Sequence, residues 1–402
     1  LAAAGVLSFA ASNLMGMRQR NARRMLGYSS VAQIGLVVGV IAGARAVPGV
    51  DAQTTALVAG GLILNHFLAK GGLFWLVDAL GIRGIESARG RLRGSYGLTL
   101  LFGLLIVGLA GLPPFPGFWA KWQLVVSLAG GGQFLWIALL LAGSLFEASY
   151  LFRFFGTLRA SNVPPTGAAS QPAGLEVDSP TASGIAPAAV FAALALVAGI
   201  AGAWLGGFRD LPLLAPIAAA AVLVLLDPLP GFAKGLLSIA LVSGYAAVIA
   251  PALSGITLVF GLILGAGPAL LLTATLARRG RVAGAFPLYV LFSLAMASLL
   301  VARSALGFFL GFELMTLSSY LLLQRGERAE VPAHRYLVFS LGGAFVLMTG
   351  LAMITAAGGS FAAPGGRIPL AGALPPAAFS SLGGGLLSIG GAAAGALGST
   401  GA

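Results

Sequence analysis

The sequence predicts an all-α polytopic membrane protein with about 13 or 14 transmembrane helices, and three observations predict it. Only 8% of the 402 residues are charged and 58% are hydrophobic, against roughly 25% charged residues in an average soluble domain. Apolar runs recur at roughly the 20 residues an α-helix needs to cross a hydrocarbon core of about 30 Å. The runs are continuously apolar, without the period-2 alternation of a membrane strand, which favours helices over a barrel.

Taken in order, the candidate spans of the first part are 1–17, 26–46, 55–80, 97–113, 116–130 and 135–156. Residues 157–183, "TLRASNVPPTGAASQPAGLEVDSPTAS", are rich in Pro, Ser, Thr and Gly and read as an extramembrane linker. Further spans are expected at 184–206, 210–227, 232–252, 253–277, 284–302, 305–324, 336–357 and, weakly, 378–397. "RQRNARR" (18–24) and "RGIESARGRLR" (83–93) lie two spans apart, hence on one side, as do "RRGR" (278–281) and "RGERAEVPAHR" (325–335). Both pairs read as cytoplasmic by the positive-inside bias. The same bias, not nucleic-acid binding, accounts for the net charge of +12. The chain starts at Leu1 without an initiator methionine or a basic signal region and ends in a Gly/Ala-rich tract, so it reads as a fragment.

Composition also bounds the chemistry. There is no cysteine, which excludes thiolate-held iron-sulfur clusters, disulfides and cysteine nucleophiles. Two histidines, His66 and His334, cannot supply a multi-histidine metal site or paired haem ligands. No cofactor, metal or catalytic centre is expected in this chain, and any redox chemistry belongs to a partner.

The ionisable residues inside apolar runs are therefore the informative ones, because a charge at the bilayer centre costs roughly 2.5 to 3.5 kcal/mol even on the mildest scale. His66 and Lys70, spaced i, i+4, share one helix face, close enough for proton transfer directly or through one water, while Asp78 falls near the membrane edge. Lys121 follows three prolines in "GLPPFPGFWAKWQL", and broken helices at membrane depth recur at ion sites; snorkelling to the interface is the other reading. Glu147 in "GSLFEASYLFRFF" is a mid-span carboxylate that serves either as a relay or in an ion pair with Arg153. Glu313 in "ALGFFLGFELMTLSSYLLL" is the sharpest acidic signal of the second part, followed by Thr316, Ser318 and Ser319, whose hydroxyls carry protons or pack against a neighbouring helix. His334 and Arg335 open the next span as interfacial anchors or supporting residues.

"RNARRMLGYSSVAQIG" (20–35), "LNHFLAKGGLF" (64–74), "GLPPFPGFWAKW" (111–122) and "SALGFFLGFELMTLSSYLL" with "HRYLVFS" together resemble the antiporter-like, proton-conducting membrane subunits. That family is shared by respiratory complex I, Mrp-type sodium/proton antiporters and membrane-bound energy-converting hydrogenases. The Lys121 segment is similar to the N-type complex I and Mrp D-type subunits, and "FELMTLSSYLL" to the large subunit of formate-hydrogenlyase-type hydrogenases. The resemblance implies an inverted-repeat bundle with broken helices, Glu313 as the first-repeat glutamate, His66, Lys70 and Lys121 in the second repeat, Lys70 in a central charged line, and Lys121 near the exit. Arg23, beside Arg24, and Arg335 stand where many members have lysine, and arginine gives up a proton poorly.

Second-repeat motifs precede first-repeat motifs here. The expectation is a tandem fusion: residues 1–157 the end of one subunit, 158–183 a linker, and 184–402 the start of another. Its Gly/Ala-rich end, "LLSIGGAAAGALGSTGA", lacks the broken-helix lysine. The implied function is proton translocation in a prokaryotic cell membrane, with other membrane subunits and a peripheral redox module as partners. The alternatives are an Mrp-type cation/proton antiporter, carrying sodium, and a non-conducting scaffold.

Overall fold

A computed structural model describes residues 1–44, 50–160, 182–205, 211–226, 229–277, 285–302, 304–326 and 329–358. Among these the chain is helical throughout: α1 (Ala2–Met17), α2 (Ala22–Gly43), α3 (Ala52–Ala79), α4 (Tyr96–Ala110), α5 (Pro116–Gly130), α6 (Phe134–Arg159), α7 (Ala182–Leu205), α8 (Leu211–Leu225), α9 (Gly231–Ile249), α10 (Gly255–Ala277), α11 (Phe286–Leu299), α12 (Ala305–Leu323) and α13 (Glu330–Ala356). Two short 3-10 turns, Glu86–Ala88 and Ala250–Ala252, complete it. Among the described residues seven helices are long and apolar enough to cross a membrane singly, and large apolar side chains such as Leu57, Phe67, Val197, Phe339 and Val346 are exposed on the bundle's outside, as lipid-facing residues are. The chain is an all-α, multi-pass membrane protein. The expected weak span 378–397, the lysine-free terminal tract and "RRGR" lie outside the described residues, as does most of the linker.

Local signals start the helices where apolar runs begin. Asn21, Asp51, Ser95 and Ser304 each accept a hydrogen bond from a first-turn backbone N–H, capping α2, α3, α4 and α12. Pro116 opens α5, where a missing N–H leaves no bond unmade. Helices α1 and α2 approach closely because Gly5, Gly35 and Gly39 face one another: a Cβ at Gly5 would stand 2.6 Å from the Gly35 carbonyl oxygen.

The basic connections meet on one face. Ala22 N–H donates to the Arg83 carbonyl at 3.0 Å and Ile85 N–H to the Arg20 carbonyl at 2.8 Å, joining 18–24 to 83–93. Gly90 and Leu92 N–H groups donate to Thr157 and Leu158 carbonyls, bringing the end of α6 there, and Arg89 reaches Glu330 at 3.8 Å, bringing the start of α13. Helix α7 packs against α3, α4 and α5, with the Trp75 indole donating to the Gly184 carbonyl at 2.8 Å. Helices α8 to α11 form a second cluster that joins the first through α12 and α13.

Candidate functional site

The site is built around an interrupted span. Helix α4 starts on the basic face, and α5 ends three residues before α6, which runs back to that face. The two therefore run in the same direction, each about 22 Å long by the helical rise and each too short to span alone. Gly111 breaks the first piece: its φ of 73° is left-handed, and Gly111 and Leu112 N–H groups fold back onto the Gly108 and Val107 carbonyls. Two buried side chains complete the end of α4, one as a second donor to the Gly108 carbonyl and one on the Ala110 carbonyl. Asn65 of α3 donates to the Gly108 carbonyl at 2.9 Å, and Lys121 Nζ donates to the Ala110 carbonyl at 3.1 Å. Lys121 is 5% exposed, so it does not snorkel; its ammonium folds back into the break.

Glu147 of α6 is fully buried. The Ser29 hydroxyl donates to one carboxylate oxygen at 2.7 Å and the Gln33 amide to the other at 2.5 Å, both from one face of α2. Arg153 turns instead to the Gln19 carbonyl at 3.5 Å, so the ion-pair alternative for Glu147 is not formed. Lys70 of α3 is buried and donates to the Leu26 carbonyl of α2 at 2.7 Å. The Glu147 carboxylate lies within electrostatic reach of both Lys70 and Lys121. One carboxyl group thus lies within electrostatic reach of two buried lysine side chains on different helices.

Other expected residues are distributed more widely. His66 is half-buried within electrostatic reach of Lys70, and its Nδ1 has no hydrogen-bond partner among the described residues; Lys70 bonds the α2 backbone and not the imidazole. Asp78 sits one residue before the end of α3, paired with Arg23, both exposed. Arg24 and Arg335 are exposed. His334 Nε2 stands 3.4 Å from the Ser149 hydroxyl. Glu313 is 2% exposed with Oε1 unpartnered among the described residues, on the α12 face that carries Phe309 one turn earlier against Phe118 and Trp122. Ser318 and Ser319 bond carbonyls of their own helix, at Leu314 and Met315, which answers the question of their hydroxyls in favour of local backbone bonds.

Sequence reasoning missed Asn65, Ser29, Gln33, Asn13 and Tyr150, which are ordinary polar residues in helical runs until their partners are known. It also missed Lys234, buried near the start of α9; the "PLPGFAK" segment (228–234), an echo of "PFPGFWAK" (114–121), was the available signal. Among the described residues no cluster of three or more His, Asp or Glu could hold a metal ion.

These features define a polytopic membrane bundle with a broken span and ionisable side chains gathered at the break. Residues 1–147, which contain Lys70, Lys121 and Glu147, match the family described as NADH:quinone oxidoreductase/Mrp antiporter, TM. It is similar to NADH-quinone oxidoreductase subunit N of Desulforudis audaxviator, 35% identical over 176 residues, covering 42% of this chain and 33% of that protein. Similar matches reach subunit N 2 of Herpetosiphon aurantiacus (29% over 213 residues, 52% and 37% covered) and subunit N 1 of Roseiflexus castenholzii (33% over 159 residues, 38% and 29%). The chain spans about a third of the length of the curated relatives it matches.

Proposed function

We propose that this chain is a proton-translocating membrane subunit of a complex I-like or energy-converting hydrogenase-like respiratory complex in a prokaryotic cell membrane. The observation that carries the reading is Glu147, clamped by Ser29 and Gln33 and facing Lys70 and Lys121, the latter bonded into the helix break. Ionised, the carboxylate stabilises both ammonium groups; neutralised or withdrawn, it leaves them in a medium that favours proton release. His66, next to Lys70, extends the row along α3, and Glu313 serves the same role on α12. Arg23, Arg24 and Arg335, on the surface, act as anchors, and His334 as a supporting residue. Other membrane subunits and a peripheral redox module supply the driving energy.

Residues 1–157 act as the end of one antiporter-like subunit and 184–402 as the start of the next, joined by the linker 158–183. The order of the motifs, with second-repeat motifs ahead of first-repeat ones, supports this arrangement.

In membrane vesicles carrying the assembled complex, Lys121→Ala is expected to depress donor-driven proton translocation much more than assembly. Loss of the complex with normal specific pumping in what remains would refute the reading. Because the family description also includes Mrp antiporters, sodium-dependent proton flux without an electron donor would assign the chain to cation exchange instead.

A further inference from the structure

The reading above leaves open how a proton reaches Glu147 from the basic face, and buried polar groups that it does not use stand along that route. Tyr150 is 1% exposed and its hydroxyl donates to Asn13 Oδ1 of α1 at 3.1 Å. The same hydroxyl meets that of Ser29 and feels the Glu147 carboxylate. The Ser29 hydroxyl in turn lies 2.7 Å from Glu147. Two hydrogen-bonded pairs, Glu147 with Ser29 and Tyr150 with Asn13, thus stand side by side.

The direction of the row follows from the fold. Helix α6 ends at Arg159 on the basic face, so Tyr150, three residues past Glu147, lies about 4.5 Å nearer that face. Helix α1 ends there too, at Met17, which puts Asn13 about one turn inside. Beyond it, Arg153 holds the Gln19 carbonyl at the exposed rim.

Interhelical hydrogen bonds are the ordinary reason for polar residues in a membrane bundle. Here that reason is incomplete: Asn13 Nδ2 and Ser144 Oγ, both at 0% exposure, have no partner among the described residues. Glue would not leave donors unmade where each costs about 1 to 3 kcal/mol.

We propose that Asn13, Tyr150 and Ser29 form the uptake branch that connects the basic face to Glu147, with the Tyr150 hydroxyl as the relay group and Asn13 as its positioning residue. This rests on the proton-translocation reading. In each passage the Tyr150 hydroxyl first turns from Asn13 Oδ1 toward Ser29; one proton from the aqueous face then arrives on the Tyr150 oxygen as the phenolic proton passes to Ser29 and the Ser29 proton passes to Glu147. Both hydroxyls then rotate back, so one proton enters, one reaches the carboxylate, and no electrons move.

The test uses the assembled complex in membrane vesicles and compares three variants. Tyr150→Phe keeps the ring that packs on Gly16, where a Cβ would stand 3.0 Å from Tyr150 Cε1, and removes only the hydroxyl. The expected result is wild-type assembly with proton translocation lowered about tenfold. Asn13→Asp places a titratable group on the branch and is expected to add a step to the pH profile of pumping. The charged or titratable groups around the branch are Glu147 and Arg153 on α6, Lys70 on α3, Lys121 on α5 and His334 on α13, all present in the wild type for comparison. Wild-type pumping by Tyr150→Phe, with pumping lost in Glu147→Gln, overturns the branch and leaves the general reading standing. Wild-type pumping by both overturns the reading and the branch together. If Tyr150→Phe does not assemble, Asn13→Asp decides: a profile superimposable on the wild type overturns the branch, and a new step supports it.

Discussion

Gly111→Ala perturbs the helix break without replacing an ionisable residue, and its consequence can be worked from the geometry. The added methyl would stand 2.7 Å from Lys121 Nζ, 3.0 Å from Cε and 3.3 Å from Cδ, on a residue whose φ is 73°. The left-handed backbone costs an alanine about 1 to 2 kcal/mol. The nearest atoms belong to the flexible end of a lysine, so that end swings away and the 3.1 Å bond to the Ala110 carbonyl is lost. A hydrogen bond from a charged donor is worth about 1.5 to 3 kcal/mol. The total destabilisation is therefore about 2.5 to 5 kcal/mol, of which only the second part depends on the lysine. Thermal or denaturant unfolding of Gly111→Ala, Lys121→Ala and the double variant in detergent isolates that part as a coupling energy of about 1.5 to 3 kcal/mol. Additivity within about 0.5 kcal/mol would show that the ammonium does not rest against Gly111, and the account of the broken span would fail with it.

Two further outcomes are expected. Phe309→Ala removes the ring stacked on Phe118 at 5.9 Å and Trp122 at 6.3 Å; it should cost about 3 to 5 kcal/mol and loosen α12 from α5, measured as proteolytic susceptibility of the second helix cluster, and a variant as stable as wild type would refute that contact. At Asp51, hydrogen bonds from the Thr54 side chain and then its backbone N–H hold the carboxyl below its usual value of 3.8. A depressed carboxylate contributes stability above its unfolded pKa and loses it as pH falls through the folded one. The melting difference between wild type and Asp51→Asn should therefore stay constant above about pH 4 and shrink below it; a difference that grows on acidification would contradict the cap.

Much of the fold was readable because its causes are local. The ends of α5, Pro116–Gly130, follow from a proline at the first turn and a glycine pair after the last, and Asp78 could be placed near the end of its apolar run. The candidate site was readable as residue types: Lys70, Lys121 and Glu147 stand out because charge is expensive in hydrocarbon. Their partners were not. Spacing placed His66 and Lys70 on one helix face and left Glu147 either as a relay or in an ion pair with Arg153, whereas Lys70 bonds a carbonyl of α2 and Glu147 bonds Ser29 and Gln33, 118 and 114 residues away.

By itself, then, the sequence determined that this chain is a helical membrane protein, roughly where its apolar helices lie, that the chain breaks before Lys121, and which ionisable side chains fall within apolar runs, since hydropathy, capping and proline chemistry act over a few residues; it read the two halves of the broken span, 97–113 and 116–130, as separate spans. Only the tertiary structure decided that α4 and α5 make one interrupted span, that the end of α4 is closed by Asn65 and Lys121, and that a single carboxylate faces two lysines. Those are contacts between helices, set by close approach at glycines and by unsatisfied carbonyls that must find donors elsewhere, and no pattern along one helix specifies which neighbour supplies them.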